Sequence, residues 1–375
     1  MPATLLSLAT IAACAAIAAC AALSAVPAAV QLQRAAGPKA ILETALARRT
    51  ELPAPALAAA LLRASRLSMH ANEDPLHRFN PSASADAPSS VMSLCTKAVA
   101  DGLGATAPAK ARAAAVDALW ASGIARDAAA GAVLIAPLAA CGALSDGQVA
   151  AVAWSCARLG LAAPPEAAAR ADAWPWRVHP DAGLARLPGV SLESLLLETT
   201  PEAGLIRSPT DNALVPERRG TAWQAEAHVP QWGYSGKAPM AAVPLSPAVA
   251  TVRDALAETL GVRFDSVLVN YYPDGTSAMK YHSDPDQGTV FARDTAVVSF
   301  GAPRDFVLRP AASEAGLSPR EVEARHCRYH VCDGDVVHMF RDCQDTYQHA
   351  IRRETAKEAG PRISLVFKRA IEQPG

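Results

Sequence analysis

One stretch, Val267 to Asp286 (VLVNYYPDGTSAMKYHSDPD), restricts what this chain can fold into more than any other. Its first half, Val267 to Tyr272, is β-branched and aromatic, and Pro273-Asp274-Gly275 supplies turn chemistry. The pattern predicts a strand, a turn and a second strand. Side chains alternate along an extended segment, so His282 and Asp284 project to the same side. An imidazole and a carboxylate placed this way can grip one metal ion. A second imidazole from elsewhere would complete a facial set of two histidines and one carboxylate with open coordination positions, as non-haem iron uses. Zinc accepts the same donors, so the pair alone leaves the metal undecided.

Around this stretch the chain divides into three parts. Residues 2 to 33 carry no charge and are alanine-rich. The run is long enough for a membrane anchor or the apolar part of a targeting peptide. No basic residue precedes it, whereas Arg34, Lys39, Arg48 and Arg49 follow. The expectation is a targeting or anchor segment over residues 1–35, with plastid or mitochondrion as destination and nucleus or cytoplasm as the alternative. Any membrane association would run through residues 4–30. From about Pro38 to Leu161 the chain reads as helices broken by Gly, Pro and Asp, which places an alanine-rich helical region at 36–175. Ser145-Asp146 predicts the start of a helix over Gln148 to Leu159, with Gly160 ending it. A polar, Pro/Ser-rich linker is expected near 69–90. Trp120 and Trp154 lie in faintly similar segments 34 residues apart, a spacing compatible with helical-hairpin repeats, although a small helical bundle is the simpler reading.

The remaining residues, 176–375, change in character. Ser246-Pro247 opens one helix, with Ser as N-cap, and Gly261 closes it. Short strand-like runs follow: Val267–Tyr272, Ala278–His282, Thr295–Gly301, Asp305–Arg309, Arg328–Val331, Asp335–Phe340, Gln348–Arg352 and Arg362–Lys368. The expected fold class is α+β, a C-terminal double-stranded β-helix (jelly roll) with a flanking helix, preceded by the helical region. In the last strand Arg362, Ser364, Val366 and Lys368 share one face and Ile363, Leu365 and Phe367 the other. An inward arginine needs an anion to be tolerated.

Composition excludes some classes. A net charge of -1 gives no global basic signal, so nucleic-acid binding would need a local patch, for which Arg218, Arg219, Arg304, Arg309, Arg341, Arg352 and Arg353 are candidates. Eight scattered cysteines with no CxxC argue against a zinc ribbon or a disulfide scaffold.

The ordered set Asn270-Tyr271-Tyr272, His282-Ser283-Asp284-Pro285-Asp286, Val298-Ser299-Phe300-Gly301, Gly334-Asp335, His349-Ala350-Ile351 and Arg362 to Phe367 resembles the AlkB family of Fe(II)/2-oxoglutarate dioxygenases, oxidative nucleic-acid dealkylases. The resemblance implies Fe(II), with 2-oxoglutarate and O2 as co-substrates. It makes His282, Asp284 and His349 the iron ligands and catalytic centre. Asn270, Tyr272, Arg362, Ser364 and Lys368 fall on the 2-oxoglutarate side. Lysine at 368 departs from the arginine usual in the family and loses the planar fork. Asp286 matches a substrate-base contact, and Trp223, Trp232 and Tyr234, in a segment that includes Ser235 and Gly236, resemble the nucleotide-recognition lid. The implied activity is demethylation of N-alkylated bases in DNA or RNA, with nucleic acid as partner and no obligate protein partner. Two alternatives are a hydroxylase or demethylase of a protein or other substrate, and an RNA-binding helical protein with a degenerate oxygenase domain.

Overall fold

A computed structural model describes residues 27–70 and 91–371, apart from 36, 102, 104–106, 142, 208–209, 235–236, 238, 313–315 and 355–358. Most of the N-terminal apolar run, nearly all of the expected linker, and Ser235 and Gly236 lie outside the described residues. Among the described residues no helix is long and apolar enough to cross a membrane.

Alanine and leucine at helical spacing wind the first part of the chain into α1 (Ala28–Arg34), α2 (Gly37–Ala47), α3 (Ala54–His70), α4 (Val91–Asp101), α5 (Ala109–Ala125), α6 (Ala128–Ala140), α7 (Asp146–Leu159) and α8 (Pro165–Ala173). The start of α7 is a reciprocal cap. The Ser145 hydroxyl accepts from the Gln148 N–H, and the Gln148 side chain accepts from the Ser145 N–H at 2.9 Å. Gly160 ends the helix at φ 66°, the left-handed conformation that glycine adopts without penalty. Small residues let α5 and α7 approach closely: a Cβ on Gly123 would sit 3.1 Å from the Ser155 Cα. Ile41, Leu57, Leu61, Leu119, Leu134 and Val152 fill the bundle core. Trp120 and Trp154 do not join that core; both are buried in a second cluster shared with the C-terminal part.

The C-terminal part begins with β1 (Trp176–His179), α9 (Leu192–Thr199), β2 (Glu202–Arg207), β3 (Leu214–Ala225) and α10 (Pro247–Leu260). It continues with β4 (Ser266–Tyr272), β5 (Met279–His282), β6 (Thr295–Gly301), β7 (Arg304–Pro310), α11 (Pro319–Ala324), β8 (Cys327–Val331), β9 (Val336–Met339), α12 (Cys343–Thr346), β10 (Tyr347–Ile351) and β11 (Arg362–Lys368). The strands form two antiparallel sheets, one ordered β1-β9-β6-β11-β4-β3-β2 and the other β5-β10-β7-β8. The architecture is therefore mixed helix and antiparallel sheet behind a helical N-terminal region.

Period-2 alternation sends each strand's residues to two different cores. Val267, Val269, Ile363, Leu365 and Phe367 pack outward against Val249, Val252 and Leu256 of α10 and Leu195 of α9. Leu268, Tyr272, Val297 and Val366 pack inward against Phe306, Leu308, Tyr329 and Val331 of the smaller sheet. Each such fully buried aliphatic or aromatic side chain contributes roughly 1.5–3 kcal/mol. The helical bundle packs against β8, the edge of the smaller sheet, with Trp120 and Trp154 in one cluster with Cys327 and Tyr329; that edge would otherwise expose unpaired backbone groups. Arg158 of α7 reaches Asp335 at 3.1 Å with both side chains almost wholly buried. That carboxylate also accepts from the backbone N–H groups of Asp181 and Cys332.

Two sequence expectations need correction. Ser246 precedes α10 but its hydroxyl makes no cap; the carboxylate of Glu198 on α9 accepts from the Ala248 N–H at 2.8 Å instead. Arg304 is not surface: it is fully buried and donates to the carbonyls of Pro303 and Gly360. The sequence reading also passed over β1, β2 and β3 as individual strands. Pro216 and the charges at Glu217, Arg218 and Arg219 mask the alternation of β3.

Candidate active site

The strand order brings the metal-binding residue types together. His282 ends β5, His349 lies on the neighbouring strand β10, and the two are paired directly across the ladder. Their rings are 4.3 Å apart between centroids. Asp284 lies two residues beyond, its N–H donating to the Gln344 side-chain oxygen at 2.9 Å. Its Oδ1 is 3.6 Å from His282 Nε2 and 3.7 Å from His349 Nε2. Ligand atoms of all three lie within 4.8 Å of one another, and among the described residues no other group of three such side chains does.

The surroundings prepare these atoms. His282 Nδ1 sits 2.9 Å from the Lys280 carbonyl, which orients the ring with Nε2 toward Asp284. The His349 ring lies parallel to Phe306, 5.4 Å away. Burial, reinforced by the neighbouring His282, pushes its imidazole down to about 3, so it is neutral at physiological pH. Burial alone would raise the Asp284 carboxyl, but Lys368 and the two imidazoles outweigh it and hold it well below the usual range. Two imidazoles and one carboxylate suit a divalent transition metal.

Beside this group, β4 and β11 run in register, Arg362 opposite Tyr272 and Ser364 opposite Asn270. All four are buried. The Arg362 guanidinium donates to Ser299 Oγ at 2.9 Å and lies 5.0 Å over the Tyr272 ring, yet its Nε and Nη1 have no partner. Both side-chain atoms of Asn270 are equally unpartnered. Each such buried polar atom costs about 1–3 kcal/mol unless something answers it. A cationic fork and an amide lining one wall fit a carboxylate-bearing ligand such as 2-oxoglutarate. Lys368 has a different contact. Its Nζ donates to Asp284 Oδ2 at 2.7 Å and, with the Gln287 amide in its satisfied orientation, to that side chain at 2.8 Å.

A wall of aromatic rings adjoins Lys368, whose Nζ lies 5.7 Å over Trp232 and over Phe291. Trp232 Nε1 donates to Asp286 Oδ2 at 3.1 Å, and its ring is 5.5 Å from Tyr234. The Tyr234 hydroxyl donates to buried Glu217, which also receives Arg219 and Lys237. Trp223 is 2% exposed and lies behind Trp232, edge-on to Phe291. The structure thus gathers Asp286, Trp232 and Tyr234 on one side and Trp223 beneath them. Sequence reasoning missed Gln344, Gln287, Phe291 and Phe306, and gave Ser299, part of the motif Val298 to Gly301, no role of its own. A lone serine inside the apolar run Val297 to Phe300 was the one usable signal among these.

Residues 206–368 match the family described as the 2OG-Fe(II) oxygenase superfamily. The uncharacterized protein R406 of Acanthamoeba polyphaga mimivirus is 35% identical over 174 residues, 46% of this chain and 84% of that protein. The chain belongs to the 2OG-Fe(II) oxygenase superfamily. Within it, the DNA oxidative demethylase ALKBH2 of Mus musculus is 32% identical over 130 residues, 34% of this chain and 52% of that one. The alpha-ketoglutarate-dependent dioxygenase alkB homolog 3 of Mus musculus is 25% identical over 166 residues, 44% of this chain and 56% of that one. The chain spans about half the length of these two relatives. Its C-terminal part is a 2-oxoglutarate-dependent dioxygenase that uses Fe(II), 2-oxoglutarate and O2, and it is homologous to these two relatives.

Proposed function

We propose that this oxygenase demethylates N-alkylated bases in DNA or RNA. The observation that carries the reading is the aromatic and acidic wall beside the metal-ligand group: Trp232 with its indole N–H on Asp286, Tyr234 next to it, and Lys368 linking the wall to Asp284. Flat rings stack on an extruded base, and a carboxylate accepts from its exocyclic N–H groups. The relatives named as oxidative demethylases point the same way.

In this reading His282, Asp284 and His349 hold the iron. Arg362 and Asn270 would hold 2-oxoglutarate, with Tyr272 and Ser364 shaping the wall. Lys368 neutralises the outer oxygen of Asp284. Bound there, Fe(II) with O2 and 2-oxoglutarate would supply the oxidising power. The protein orients the methyl C–H bond and excludes stray water. Hydroxylation of an N-methyl group yields formaldehyde and the free base. The two facing sheets, with the ligands at the β5–β10 pair, support a jelly-roll description of the domain.

The test uses full-length protein supplied with Fe(II), and measures formaldehyde release from methylated DNA and RNA oligonucleotides, single- and double-stranded, with and without 2-oxoglutarate. Release that requires 2-oxoglutarate and disappears in His282→Ala is expected. Steady 2-oxoglutarate turnover with no formaldehyde from any oligonucleotide would sink the base reading and leave a hydroxylase of another substrate.

A further inference from the structure

The helical bundle does more than cover a sheet. We infer that Arg66 of α3 is a positioning residue for the metal centre, holding in place the two strands that carry His349 and the ring stacked on it. Arg66 Nη2 lies 2.7 Å from Asp305 Oδ2 and 3.1 Å from Glu354 Oε1. Asp305 belongs to β7, and Glu354 follows β10 by three residues. A single guanidinium therefore ties together two adjacent strands at one end of their ladder. That end is closed further by the Arg352 N–H donating to the Asp305 carbonyl at 3.0 Å, and by the Glu354 N–H donating to the Gly275 carbonyl at 2.8 Å.

Strand alternation carries this clamp inward. Asp305 faces the bundle, so Phe306, the next residue, faces the interior. There its ring lies within 4° of parallel to the His349 imidazole. His349 itself pairs with Leu308, two residues along the same ladder. A shift of β7 against β10 moves Phe306 relative to the imidazole. Metal ligands are sensitive to such outer contacts, whose loss commonly costs 10–100-fold in affinity.

The clamp is separable from folding. Asp305 keeps Arg328, at 2.6 Å, and His330, at 2.9 Å, when Arg66 is gone, so its carboxylate is never left buried alone. Glu354 is the partner that loses its cation.

The experiment titrates Mn(II) into full-length protein and follows free Mn(II) by electron paramagnetic resonance, so no nucleic acid enters and the result stands apart from the substrate proposal. Arg66→Met is expected to weaken Mn(II) binding about tenfold, and Arg66→Lys to recover part of the loss. Phe306→Leu should weaken Mn(II) binding similarly, and the double variant should lose less than the product of the two single losses, as residues acting through one contact do. Wild-type Mn(II) affinity in Arg66→Met, even with a lowered melting temperature, overturns the inference, as do losses that multiply. Should Arg66→Met not fold, Phe306→Leu decides: wild-type affinity in that variant overturns the inference on its own.

Discussion

Replacing Arg362 by methionine should produce two opposite effects that ordinary core damage cannot mimic. The guanidinium is fully buried, with one partner, Ser299, and two nitrogens that none answers. Burial pulls its pKa down to about 10, against the charged form. Without 2-oxoglutarate this is a strain on the fold, and a shorter methionine removes it while leaving a small cavity. The variant should therefore unfold in urea at the same free energy as the wild type, or up to about 2 kcal/mol higher. With 2-oxoglutarate the balance reverses. A carboxylate reaching the unanswered side of the guanidinium makes charge-assisted hydrogen bonds, and breaking such a buried pair costs about 3–5 kcal/mol, a factor of about 10² to 4×10³ in affinity. Urea unfolding in the absence of 2-oxoglutarate, paired with calorimetric titration of 2-oxoglutarate into the Mn(II)-loaded protein, measures both. Affinity retained within threefold, or a loss of more than about 2 kcal/mol in the ligand-free protein, would refute the assignment.

Tyr234→Ala removes the half-buried ring of the aromatic wall, a stacking surface worth about 1–3 kcal/mol per base, so KM for a methylated oligonucleotide should rise about tenfold or more while KM for 2-oxoglutarate stays within twofold; equal rises in both would show that the ring only packs on Trp232. Asp117 of α5 is pushed up to about 6 by burial, against the pull of Arg328. Its folded pKa exceeds the ordinary 3.8, so the folded state holds the proton longer and stability falls as pH rises from about 4 through 6. Asp117→Asn should then gain about 1–2 kcal/mol at pH 7.5, after discounting for the partly exposed side chain, and nothing at pH 4; a gain equal at both pH values in urea titrations would contradict this. A Cβ on Gly147 would meet the His326 carbonyl at 2.7 Å, where α7 crosses the start of β8. Gly147→Ala should lower stability by about 1–2 kcal/mol despite alanine's better helix propensity, and a rise in melting temperature would mean that the bundle does not sit tightly on the sheet.

What was legible in the chain was whatever depends on local pattern. Strands β6 and β11 run between the residues that alternation and turn chemistry suggest, and β4, β5 and β10 differ by a residue at one end or both. The Ser145 cap and Gly160 stop of α7 follow from short-range hydrogen bonding, which sequence spells out directly. The face-sharing of Arg362, Ser364 and Lys368 is likewise a matter of a two-residue period. The Glu198 cap of α10 was not legible, because its donor and acceptor are 50 residues apart. Nor was the partner of Lys368, since Asp284 stands 84 residues away.

The amino-acid order by itself determined the strands from β4 onward, the His-x-Asp pair and the buried cation near the end, since each follows from side-chain chemistry and periods of two or 3.6 residues. Only the tertiary structure decided that His349 pairs across the ladder with His282, that the Asn270 amide and two Arg362 nitrogens go unanswered by other protein groups, and that Arg66 from the helical bundle grips Asp305. Those are contacts between residues far apart in the chain, and long-range packing, which no local period encodes, brings them together.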